Sequence, residues 1–160
     1  MTERTITDAT AKAIEQSLNL ARDNGHSTAD PLHLALVLFR DDDSVGARVC
    51  SKTDDANIVD VNLVRRSLQK LLLKKPAQTP APLEAGPSNA FAQLLQRATK
   101  AAKANGDSLV ALDHLFVALY DDREVKAALE ESGLAKKIAI KILEEMRGGR
   151  KVTSASAEES

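Results

Sequence analysis

The 160-residue chain carries 22 Lys plus Arg against 23 Asp plus Glu, a formal net charge of −1 that supplies no field for nucleic acid or an anionic membrane. Hydrophobic residues make up 43% and charged residues 28%, which excludes a wholly disordered chain and suits one ordinary domain or two very small ones. Aromatic residues are only 2%, so the core must come from Ala, Leu, Val and Ile, a composition that favours helix over strand.

The first residues, Met1 to Thr5, are too polar for a signal peptide, and the lone Cys50 can form no internal disulfide. The expected location is therefore the cytoplasm, with the nucleus as a second compartment. The longest apolar run, Leu34 to Phe39, is too short to cross a bilayer.

Thr7 stands where an N-cap belongs, with Asp8 in the first turn, and Ile14, Ser17, Leu18 and Ala21 mark one face of a first helix. Gly25 after Asn24 stops it. Asp30-Pro31 opens a second, nearly all-apolar helix to about Phe39. After Asp41-Asp42-Asp43 a third helix is predicted over 44–51 and a fourth over 60–74, with Val61, Val64, Leu68, Leu71 and Leu72 inward. Pro76, Pro80, Pro82 and Pro87 then make an extended connector over 76–88.

A shift of 81 positions superposes the flanking halves. It pairs Ala9 with Ala90, Asn24-Gly25 with Asn105-Gly106, His33-Leu34 with His114-Leu115 and Asp41 with Asp122, ten identities in the 37 positions from Thr7 to Asp43. Chance gives roughly one match in sixteen, so this is an internal duplication. The second copy predicts helices over 89–105, 112–120, 124–131 and 134–147. The expected fold is all-α: two tandem four-helix repeats, 7–75 and 89–147, packed as a pseudo-twofold eight-helix domain over 1–147. Residues 148–160 read as a tail or linker.

Catalytic chemistry finds little support. There is no P-loop, no His or Cys pair at zinc spacing, and no base beside Cys50. His33 and His114 fall at equivalent places and read as packed residues with locally bonded rings. A dyad of His114 with Asp113 is opposed by geometry, because adjacent helical residues point about 100° apart. Arg65-Arg66 and Lys136-Lys137 read as solvated helix faces.

What remains is a surface for other chains, at the seam between the copies. Its expected walls are the first helix and the segment 107–112. The equivalent segment of copy one, 26–31, is more polar, so Leu109 and Val110 face either something the first copy lacks or the connector and their own core.

The pattern Ala-Arg-x-x-Gly-His…Pro-Leu-His-Leu-Ala-Leu at 21–36, repeated as Ala-Lys-x-x-Gly-Asp…Asp-His-Leu-Phe-Val-Ala-Leu at 102–119, resembles the paired Clp N-terminal repeat. The run Met146 to Val152 is similar to the exit from that domain towards the first ATPase module of ClpB-type disaggregases. The wording of 107–115 is nearest the eukaryotic hundred-kilodalton heat-shock class, with a fungal source expected, and the resemblance covers about 5–155.

That resemblance implies an N-terminal domain that assists substrate capture for an ATP-driven homohexamer, which threads aggregated or unfolded polypeptide through a pore with the seventy-kilodalton chaperone system. ATP and magnesium belong to the full-length protein, and this chain is expected to be no enzyme, to need no cofactor and to be monomeric alone. By position, Thr7, Asp107 and Asp113 border the substrate groove, although His114 could equally hold the family's acidic place. The groove's apolar lining is expected from Ile14, Leu94, Leu95, Leu109 and Val110. Docking of a folded adaptor is the alternative function, and in a crystal the tail around Val152 could enter a neighbouring copy's groove.

Overall fold

The computed structural model describes residues 5–158, so the first four residues of the expected domain and the last two of the expected tail lie outside it. Repeat one supplies α1 (Asp8–Asp23), β1 (Thr28–Ala29), α2 (Pro31–Phe39), α3 (Val45–Ser51) and α4 (Val61–Leu73). The connector supplies β2 (Gly86–Pro87), and repeat two supplies α5 (Asn89–Ala104), α6 (Leu112–Ala118), α7 (Arg123–Glu131) and α8 (Lys136–Arg147). The expected all-α architecture of two four-helix repeats is what forms. Each predicted helix lies within about two residues of its expected bounds; only α6 changes character, tightening into a 3₁₀ turn over Leu119–Asp121.

The N-caps follow the sequence chemistry. Thr7 Oγ1 accepts the Thr10 N–H at 3.1 Å, and Ser88, its counterpart 81 positions on, accepts the Phe91 N–H at 3.1 Å. The caps of α2 and α6 use a histidine instead: the Asp30 N–H donates to His33 Nδ1 and the Ala111 N–H to His114 Nδ1, each at 2.8 Å. This is why a buried histidine recurs at the third position of both helices.

One hydrophobic core runs through both repeats. Phe39 and Phe116, both fully buried, meet at 5.4 Å between ring centroids, and Tyr120 continues the contact while donating its hydroxyl to the Leu134 carbonyl at 2.7 Å. Such buried side chains contribute roughly 1.5–3 kcal/mol each, and here they weld the copies together.

The seam is also stitched by exchanged extended segments that composition did not reveal. The Ser88 N–H donates to Ala29 O at 2.9 Å, and the Thr7 N–H to Val110 O at 3.1 Å, so each repeat's leading segment pairs with the other repeat. β1 and β2 are parallel partners, and Ile6 bridges Val110 in the same sense. After α4 the connector lies over Gly25, where the Gln78 N–H donates to Gly25 O at 2.7 Å. After α8 the chain takes the corresponding course, with Lys151 beside Gly106.

Candidate functional site

Segment 107–111 links the end of α5 to the start of α6, bending at Ser108 and Leu109 before Val110 bridges Ile6, and its side chains alternate between two environments. Val110 belongs to the common core at 3% exposure, whereas Leu109 and Ala111 face away from it and form a separate small cluster. That outward face, beside residues 5–7 ahead of α1 and the helix's first residue Asp8, is the furrow at the seam.

The furrow is occupied by the chain itself. Gly148 and Gly149 both take φ values in the left-handed region, +62° and +82°, which non-glycine residues adopt at a cost, and they turn the chain back from the end of α8. Segment 152–158 then crosses the furrow. The Ser108 N–H donates to Val152 O at 2.8 Å and the Asp8 N–H to Ala155 O at 2.8 Å. Val152, Ala155 and Ala157 cover Leu109 and Ala111. The Glu158 carboxylate accepts from the Thr7 hydroxyl and, at 2.9 Å, from the Leu112 N–H. The tail fills the furrow of its own chain, because the two-glycine turn is short enough to bring Val152 alongside Ser108.

At the near end of the furrow lies a charged network. Asp107, its side chain fully buried, accepts from Arg147 Nη1 at 2.7 Å and the Val152 N–H at 2.9 Å through Oδ1. Through Oδ2 it meets His114 Nε2 at 2.8 Å and Asn105 Nδ2 at 3.2 Å. Burial alone would raise the Asp107 carboxyl; the Arg147, Val152, His114 and Asn105 donors outweigh it and hold the group well below the usual carboxylate range. Arg147 also bonds Asp113 Oδ2 at 3.1 and 2.5 Å. Burial opposes its charge, but the two carboxylates push its guanidinium further into the protonated form. The other Asp113 oxygen is buried without a hydrogen-bond partner. A cavity of about 230 Å³ adjoins the tail, bounded by Arg48, Asp113, Leu143, Arg147 and Glu158.

The structure therefore brings Thr7, Asp107, Leu109 and Asp113 together around segment 152–158. Four other expected lining residues lie elsewhere. Leu94 and Val110 are core residues at 2% and 3% exposure, on the inward faces of α5 and of segment 107–111. Ile14 and Leu95 are half-buried and pack on the common core, not on the Leu109 cluster. The His114–Asp113 dyad does not form: Asp113 Oδ1 stands 3.6 Å from a ring nitrogen that already accepts the Ala111 N–H, and His114 turns its other nitrogen to Asp107.

Arg147, Glu158 and the docked tail were not anticipated. The duplication held the signal for the tail: α8 corresponds to α4, so the chain after α8 should run over 106–110 as the connector runs over 25–29. Among the described residues no group of three or more His, Cys, Asp or Glu could hold a metal ion, and no helix is long and apolar enough to cross a membrane.

The pattern of the Clp repeat (R) N-terminal domain matches residues 5–132. The chain is 31% identical over 159 residues to heat shock protein 104 of Schizosaccharomyces pombe, covering 99% of this chain and 18% of that protein. It is 32% identical over 158 residues to heat shock protein 100 of Trypanosoma brucei brucei, covering 99% and 17%. The chain thus spans under a fifth of the length of these relatives. The crystal structure of the Hsp104 N-terminal domain from Candida albicans superposes with a TM-score of 0.84 at 26% identity, covering 97% of this chain and 99% of that one.

Proposed function

This chain belongs to the Clp repeat N-terminal domain family, and from that premise we propose that its furrow captures unfolded or aggregated polypeptide for an ATP-driven disaggregase. The observation that carries the reading is the segment already lying there, which enters at Val152 and closes in a turn over 154–158. Val152 and Ala155 are held through main-chain atoms, to Ser108, Asp107 and Asp8, so any polypeptide backbone can make the same bonds without its sequence being read. Leu109 and Ala111 supply an apolar floor that rewards a neighbouring aliphatic side chain.

The energetics favour weak, general capture. Burying two aliphatic side chains contributes roughly 3–6 kcal/mol gross, and the ordering of an unfolded segment removes much of it. In the proposed full-length homohexamer, six tethered copies around a pore raise the local concentration of binding sites, so modest individual affinity suffices. Handover to the pore, cooperation with the seventy-kilodalton chaperone system and work in the cytoplasm form part of this proposal. Docking of a folded adaptor through a charged patch has less support: Asp107, Asp113 and Arg147 are paired with one another.

The test is amide-shift mapping of a permanently unfolded model protein on the isolated domain, with Leu109→Ser as the probe of the floor. Val110 is unsuitable, since its side chain belongs to the core. Shifts clustered on 5–8 and 107–112, and lost binding in a Leu109→Ser variant of parental helicity, are expected. Undiminished binding by that folded variant rejects the furrow.

A further inference from the structure

The segment in the furrow is tethered, and its hold is light. Of its residues only Val152 is buried; Ala155, Ala157 and Glu158 are half-buried, and Thr153, Ser154 and Ser156 point to solvent. Among the described residues its main-chain atoms bond the rest of the chain at Ser108, Asp107 and Asp8, and its apolar side chains are small. The remaining anchor is the Glu158 carboxylate, placed between the Thr7 hydroxyl and the Leu112 N–H, a charge-assisted pairing at the far end of the furrow.

Tethering compensates for light contact. Gly148 to Lys151 tie the segment directly to the end of α8, which holds it near the furrow at high effective concentration. It engages the same Leu109 floor and the same backbone groups that an incoming polypeptide would need. We propose that segment 152–158 is an intramolecular ligand of the furrow that competes with unfolded polypeptide, with Glu158 as its latch. The inference rests on the reading of the furrow as the capture site and adds its regulation. The apparent affinity for substrate is the intrinsic one multiplied by the fraction of molecules with the segment displaced. The furrow's Leu109 is thereby kept from water, and from other chains, until a better ligand arrives.

The experiment measures binding of fluorescein-labelled, reduced and carboxymethylated α-lactalbumin by anisotropy. The parent chain is compared with Glu158→Gln, with Val152→Ser/Glu158→Gln, and with Ser156→Ala, whose side chain is exposed within the same segment. Release of the latch is expected to tighten the Kd about threefold, and release of both anchors about tenfold, with Ser156→Ala matching the parent. Equal Kd values in all four chains, with binding still abolished by Leu109→Ser, overturn the competition and leave the furrow reading intact. Weaker binding in the latch variants also overturns it, because the segment would then form part of the receptor. Binding undiminished by Leu109→Ser removes the furrow reading itself. Should the double variant lose helicity, Glu158→Gln decides, since among the described residues that carboxylate's hydrogen bonds go to a hydroxyl and one N–H at the surface of the fold.

Discussion

His26 Nδ1 lies 2.9 Å from His33 Nε2, with both rings buried and their centroids 5.1 Å apart. The contact fixes the proton. His33 Nδ1 already accepts the Asp30 N–H, so Nε2 must carry the hydrogen and donate it to His26. In the second repeat the position 81 residues after His26 is Asp107, and His114 meets a carboxylate at 2.8 Å where His33 meets a ring. The same helix start thus has a basic neighbour in one copy and an acidic one in the other.

Acid should weaken repeat one through this pair. Burial, then the neighbouring His26 and Lys75, push the His33 ring down to about 4, with Asp30 opposing. The unfolded value is about 6.5, so below that pH the unfolded chain binds the proton more readily. The stabilisation is complete above about pH 6.5 and declines as pH falls towards 4, by about 3 kcal/mol at most. Urea midpoints at pH 7.5 and 4.5 measure it. His26→Asp, which gives His33 the partner that His114 has, is expected to flatten that decline. An unchanged slope in that variant would separate acid lability from the histidine pair.

Cys50 should behave as an inert core residue. It is 4% exposed, and burial pushes its thiol up to about 11, with Arg65 opposing. At pH 8 the folded chain is expected to leave an aromatic disulfide reagent unreacted over hours, while the chain in concentrated urea reacts within the mixing time. The labelling rate across urea concentrations then reports opening of α3 directly.

The expectations that held and those that failed divide on physical grounds. Helices were legible because each is set within one stretch of sequence: Thr7 and Ser88 as caps, Val64, Leu68 and Leu72 as an inward stripe. The duplication even placed His33 and His114 in matching roles. The furrow's lining was less legible, since burial on α5 and in segment 107–111 depends on which of several apolar residues faces the other repeat. Leu109 and Val110 are neighbours of like hydropathy, and only the course of the backbone, bent at Leu109 and bridged to Ile6 at Val110, sends one outward and the other into the core. The Arg147–Asp107 contact joins residues 40 positions apart and has no local signature.

Gly46→Ala tests the packing between α2 and α3. A Cβ at this helical position would stand 2.7 Å from the Leu38 carbonyl oxygen and run into the Phe39 ring, which is fully buried and held against Phe116. Neither neighbour is a flexible side-chain end that can swing aside. The gain in helix propensity, about 1 kcal/mol, is therefore outweighed by overpacking of typically 1–3 kcal/mol or more. A lower thermal midpoint with unchanged helicity is expected; a higher midpoint would mean that α3 can slide away from Phe39 without loss.

Asp107→Asn carries the strongest expected effect. Arg147, the Val152 N–H, the His114 ring and Asn105 all point donors at the two carboxylate oxygens. An amide offers one accepting oxygen and turns an NH₂ group towards the rest, so at least one buried donor loses its partner, and of its two carboxylates Arg147 keeps only Asp113. Breaking a buried pair in this way costs about 3–5 kcal/mol, and the lost Val152 bond should loosen segment 152–158 at the same time. The pH signature separates this site from the histidine pair. Because the folded carboxyl is held below its unfolded value of about 4, its contribution is present above that pH and declines only below it. Parent and Asp107→Asn stabilities should therefore differ most at neutral pH and converge in strong acid, whereas His26→Asp alters the window between about 6.5 and 4. Midpoints for both variants from pH 7.5 to 2.5 would show the two windows apart, and a constant gap between parent and Asp107→Asn down to the lowest pH would mean that the carboxylate's charge contributes nothing to the fold.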